Sequence, residues 1–278
     1  MAISEYIIPV KQRVFICRVV FAFIFLCLLY FCSSHVLLHQ LNSPALKYPY
    51  VDPVFWVMHL LRIPELITSG YCIALSFDVT LFVSCVLCFL FPLKRIFILV
   101  FLLLYFIYFV CINSFGAHHT HAAAGLLLVP IPFLFKSEKS FSLMWQALRY
   151  YALYVYASSF LWKLFRLTWL HTDQGLLILK KNITPYLYYN NDTVLSKLYW
   201  WLLQHPSLVN TLFVIGFIME GTFVVGFLTK QFDKILFLFS FILVAGFWLL
   251  ADALFFQLLI FSLTFVKFEK EKPKIQLR

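Results

Sequence analysis

Two stretches gather the side chains able to carry chemistry. His118, His119 and His121 stand together in GAHHTHAAAGLLLVPIPFLF, and Lys163 and Arg166 close the segment WQALRYYALYVYASSFLWKLFRLTW, which runs from Trp145 to Trp169. Both stretches are otherwise apolar. An ionisable group at the edge of an apolar segment long enough to cross a bilayer is costly unless it is solvated, paired or used. A lysine deprived of water can serve as a general base, whereas one at the headgroup level merely snorkels outward; residue types alone leave both roles open for Lys163.

His118 and His121 are one helical turn apart, a spacing that two metal ligands can share. HxxH without a carboxylate or a fixed fourth ligand is a weak pattern, a surface turn is the commoner setting, and no metal is expected. Asp252 either pairs with Lys163 or Arg166 or caps the last helix. Asp78 and Glu220 are isolated carboxyls inside apolar runs, so each is a functional candidate or a hydrogen-bonded link between two helices. Cys85 and Cys88 form a CxxC, a redox motif in soluble proteins. Within a lipid-buried helix they read better as two small core residues one turn apart.

The elements that must position these groups are transmembrane helices. Of 278 residues, 63% are hydrophobic and 12% charged, with a mean hydropathy of +0.91; a soluble domain is closer to half apolar and a quarter charged. The expected fold is all-α and polytopic, with about eight spans near 14–38, 69–92, 96–116, 121–135, 146–165, 208–229, 235–250 and 253–267. Seven spans result if 235–267 is one long tilted helix. The whole chain reads as a single transmembrane domain. The first span is retained rather than cleaved as a signal. Seven cysteines, mostly inside apolar runs, show no disulfide framework.

The net charge of +10 is spread between spans, which argues against nucleic acid and for topology determinants and contacts with anionic lipid headgroups. Eight spans with both termini in the cytoplasm put 15 of the 22 Lys and Arg residues on that side, the basic tail 268–278 included. Residues 39–68 and 167–207 then face outward as interfacial loops rich in Tyr and Trp. The sequons at Asn182 and Asn191 fall in the second of these. On the same outer side lie His35, His39, the three histidines at 118–121, Lys163, Arg166 and Asp252, the layout of a site entered from the outer face.

Taken in order, HHTHAAAGLLL, a basic linker, WQALRYY, YVYASSFLWKL, TWLHTDQGLL and a late helix pair with a polar turn at Asp252 make a pattern. It resembles the transmembrane domain of the vitamin K-dependent γ-glutamyl carboxylase and its bacterial relatives, the HTTM (horizontally transferred transmembrane) proteins. DoxX- and MauE-type membrane proteins are more distantly similar. The resemblance implies a quinone or lipid pocket opening outward and a base at Lys163. It also implies a functional histidine among His118, His119 and His121, and ligand-binding roles for Trp162, Arg166, Trp169 and Asp252. The departures are specific: Trp162-Lys163 stands where the carboxylase has a lysine pair, Phe165 replaces an acid, and Asp252 stands where a His and an Asn are expected. The large soluble portion that captures a protein substrate has no counterpart, so carboxylation of protein glutamates is not expected.

The expected function is therefore binding of a quinone or lipid in an outward-facing pocket of a bacterial inner-membrane protein, and whether chemistry follows is left open. Two rivals stand beside it. One is a non-catalytic subunit that assembles other membrane or periplasmic proteins, to which the 34 phenylalanines are suited; the other is a DoxX-like redox partner using Cys85 and Cys88. Transport is weaker, since no paired repeats or broken helix pairs are evident.

Overall fold

The computed structural model describes residues 7–41, 57–58, 60–114, 124–190, 192–251 and 255–268; all regular structure among them is helical. The principal helices are α1 (Val10–Ser33), the short α2 (Ile63–Thr68), α3 (Tyr71–Leu90) and α4 (Arg95–Ser114), followed by α5 (Ala124–Leu128) and α6 (Glu138–Phe165). After these come α7 (Gln174–Tyr189), α8 (Val194–Gln204), α9 (Pro206–Leu228), α10 (Asp233–Ala251) and the single turn α11 (Leu259–Ser262). Five of them, α1, α3, α4, α9 and α10, are long and apolar enough to cross a membrane. The chain is an integral membrane protein.

The other three expected spans differ in kind. Residues 124–134 form a five-residue helix and a 3-10 turn broken at Pro130 and Pro132, because proline removes a helical N–H and clashes with the preceding turn. Residues 256–265 are a short mixture of 3-10 and α turns, so α10 does not continue as one long helix. The ten described helical residues in each stretch, partly in 3-10 turns, reach about 18 Å, short of the hydrocarbon thickness of about 30 Å. The expected span 146–165 belongs to the 28-residue α6, which is long enough to cross but carries Arg149, Lys163 and four tyrosines.

The chain divides into two compact units, residues 1–146 with 268–278, and residues 147–267. In the first unit, α3 turns its small and polar side, Ala74, Asp78, Ser84, Cys85 and Cys88, inward. Its Val79, Val83, Val86 and Phe89 lie on the exposed face. This inversion of soluble-protein patterning follows from the solvent: lipid is as apolar as leucine, so helices meet through small side chains and hydrogen bonds. Cys85 donates to the Phe21 carbonyl of α1 at 3.4 Å, and Phe21, Phe101, Tyr105 and Tyr108 form a chain of ring contacts between α1 and α4.

In the second unit, residues 167–207 are not an irregular loop. They fold into α7 and α8, whose Leu179, Ile183, Leu187, Tyr199 and Leu202 share a buried cluster with Val209 of α9. Gly175 allows α7 to start against α9, since a Cβ there would stand 2.8 Å from the Val209 carbonyl oxygen. Of the expected loop 39–68, residues 42–56 and 59 lie outside the described residues, as does most of the tail 268–278.

Candidate functional site

Lys163 lies in the last turn of α6, and its Nζ stands 2.6 and 2.7 Å from the two carboxylate oxygens of Glu220 on α9. Ser159, one turn before Lys163 on the same face of α6, donates to Glu220 Oε1 at 3.2 Å. The two ends of the ion pair differ in access. The Glu220 side chain is wholly buried, whereas that of Lys163 is 25% exposed. Phe213 and Phe247 flank the ammonium, with ring centroids 5.9 and 5.8 Å from Nζ. Phe160 packs against Gly221, where a Cβ would meet its ring at 2.8 Å, so glycine beside Glu220 makes room for that aromatic wall.

One turn further down α6, Tyr156 stacks on Phe223 with centroids 4.2 Å apart. Its hydroxyl is buried and has no hydrogen-bond partner among the described residues. Tyr156, Ser159 and Lys163 thus form a polar stripe along α6 facing the glutamate. The arrangement supplies a buried acceptor, a cation reachable from one side, and a serine hydroxyl that donates to the acceptor. Transfer of one proton across the Lys163–Glu220 contact converts an ion pair into a neutral amine and acid, freeing the amine to accept a proton or a hydrogen bond from another molecule.

The remaining candidates divide around this pair. Trp162 on α6 and Arg166 in the turn just after it are both exposed, with the guanidinium carbon 4.1 Å from the Trp162 ring centroid. That is a surface cation–π contact of about 0.5–1 kcal/mol. Trp169, in the 3-10 turn Thr168–Leu170, stacks parallel to Phe217 at 6.2 Å. His118, His119, His121 and Asp252 lie outside the described residues. The structure gives Lys163 a partner in Glu220, which the sequence marks only as an isolated carboxyl.

Asp78 is not isolated either. The chain reverses after α1 through His35 at φ 58° and enters the 3-10 turn Leu38–Gln40. There the backbone N–H of His39 donates to Asp78 Oδ2 at 2.9 Å, and its ring Nδ1 lies 2.7 Å from the same oxygen. The two contacts hold the His39 ring against the carboxyl. Asp78 Oδ1 is buried with no partner among the described residues. Cys85 and Cys88 are both fully buried and free; Cys85 borders an apolar groove of about 350 Å3 lined by Phe21, Phe25 and Phe89.

Sequence reading missed three partners. Ser159 carried a signal in its i, i+4 spacing to Lys163. The link between His39 and Asp78 spans 39 residues and depends on the turn after α1. The third is the pair Arg149–Asp233, buried at both ends with Nη2 2.6 Å from Oδ1.

Family models, curated proteins and solved structures were all compared with the chain. None matches it.

Proposed function

We propose that this membrane protein binds the polar head of a quinone or lipid at the Lys163–Glu220 pair, with the pair able to exchange a proton with the bound group. The observation that carries the reading is the asymmetry of the pair: a glutamate at zero exposure held by a lysine whose side chain is 25% exposed. A helix clamp gains nothing from leaving its cation open, whereas a ligand carrying an acidic or carbonyl oxygen needs it open. The aromatic rings beside Nζ suit a flat ligand. The carboxylase-like order of motifs around Lys163 agrees with such a ligand. The excess of Lys and Arg in 15 positions on one side of the expected topology favours both termini in the cytoplasm, and the likeness to the bacterial HTTM proteins suits a bacterial inner membrane.

One observation favours a second reading. Lys163 already spends its ammonium on both oxygens of Glu220, as a structural link between α6 and α9 would. The protein is then a non-catalytic subunit that assembles other membrane proteins. Mass spectrometry of the organic extract from gently purified protein separates the two. Binding predicts a stoichiometric quinone or lipid in the wild type that is depleted in Lys163→Ala. Equal bulk lipid in both would leave only the assembly role.

A further inference from the structure

A cavity of about 420 Å3 lies within the first unit, where α1 begins and α3 turns into α4. Three stretches distant in sequence bring cations to it: Arg13 from α1, Lys94 and Arg95 from the start of α4, and Lys136 from the segment preceding α6. Leu93, Phe133 and Phe135 supply an apolar wall. Among the described residues, no carboxylate lines the cavity.

Arg13 is the anchor of this group. It is only 3% exposed, and its Nη1 and Nη2 donate to the carbonyls of Lys136 and Phe135 at 3.1 and 2.7 Å. Phe141 lies 4.6 Å from its guanidinium carbon. These contacts hold the guanidinium in place without neutralising it, and its Nε–H is buried with no acceptor among the described residues. Glu138 supplies a carboxylate on this side of the unit, but its Oε1 accepts the Val10 backbone N–H at 3.0 Å. Among the described residues, one carboxylate against four cations leaves the cavity positive.

Four cations that share one carboxylate are costly to hold together, and a guanidinium fork matches phosphate oxygens. Basic pockets between helices at a membrane surface are suited to anionic lipid heads. The apolar wall distinguishes a lipid phosphate from a free one, since inorganic phosphate has nothing to place against Leu93, Phe133 and Phe135. We propose that this cavity binds the phosphate of an anionic phospholipid, with Arg13 as the fixed donor and Lys94, Arg95 and Lys136 closing around it. The site is independent of Lys163 and stands or falls separately from it.

The test is native mass spectrometry of the full-length protein, exchanged into micelles containing equal phosphatidylglycerol and phosphatidylcholine. Lys94→Gln/Arg95→Gln removes two charges from the cavity and leaves the Arg13 contacts with Phe135 and Lys136 intact. Lys180→Gln/Lys181→Gln removes two from an exposed stretch of α7 and serves as the control. The wild type and the control should retain phosphatidylglycerol in preference to phosphatidylcholine, and the cavity variant should retain about tenfold less of it. Equal retention by the cavity variant and the control, or no preference between the two lipids in the wild type, would overturn the proposal. Millimolar inorganic phosphate forms the second arm. Lipid that stays bound supports the phospholipid, and lipid that is displaced reassigns the site to a free phosphate.

Discussion

Two charge pairs, both anchored on α6, lie in the second unit and are built to different ends. Arg149 and Lys163 are fourteen positions apart, about 21 Å along the helix. Arg149 reaches both oxygens of Asp233, through Nε at 3.2 Å and Nη2 at 2.6 Å, and Nη2 also donates to the carbonyls of Gly226 and Thr229. Those carbonyls belong to the end of α9, where the helix has unpaired acceptors and favours a cation, while Asp233 begins α10, where an acid is favoured. Both side chains are 4% exposed. This pair fastens the turn between two spans and is closed on all sides. Lys163–Glu220 has fewer supporting bonds and an open cation. Burial with many bonds suits a fastening; burial at one end only leaves Lys163 reachable, which the proposed binding role requires.

Breaking the closed pair has the largest expected effect. Arg149→Ala leaves Asp233 and the α9 carbonyls buried without a donor and should cost about 3–5 kcal/mol. The check is the yield of monodisperse protein and its unfolding temperature in detergent. Lys163→Ala should cost less, about 1–3 kcal/mol, because Ser159 still serves Glu220 and the vacated side of the pair is accessible. If the two variants unfold alike, the contrast drawn here between closed and open pairs is lost. Ser159→Ala removes one hydrogen bond to the glutamate and should cost about 0.5–1.5 kcal/mol, with a loss of ligand larger than that stability change alone would give. Arg166→Ala, which removes only an exposed contact with Trp162, should shift stability by less than about 0.5 kcal/mol and leave ligand content unchanged.

The long apolar helices were legible because hydropathy over twenty residues is a direct record of the surrounding lipid. Residues 121–135 and 253–267 were harder: their composition suits a span, but Pro130 and Pro132 interrupt the first, and the second breaks into single turns. The aromatic pairs Tyr188–Tyr189 and Trp200–Trp201 pointed to a surface loop at 167–207. The i, i+4 series Leu179, Ile183, Leu187 was the stronger signal, and it marks the buried face of α7.

At the site, Lys163 and Glu220 were each conspicuous as charges in apolar surroundings, but their pairing joins positions 57 residues apart. It depends on the register of α6 against α9, which residue types do not record. Asp78 with His39 follows the same rule, since the carboxyl is visible in α3 while its partner arrives on a turn. Arg149 escaped notice because its position suggested only a topology determinant.

The most direct test replaces the open pair by uncharged residues of similar size. Lys163→Met/Glu220→Gln leaves neither an unpaired buried charge nor a large void, and exchanging both members of a buried ion pair is often neutral for stability. The folded double variant should match the wild type in unfolding temperature while its extract lacks the stoichiometric quinone or lipid. A double variant that keeps that ligand at the wild-type level, or a wild type that carries none, would contradict the assignment of this pair as a binding site.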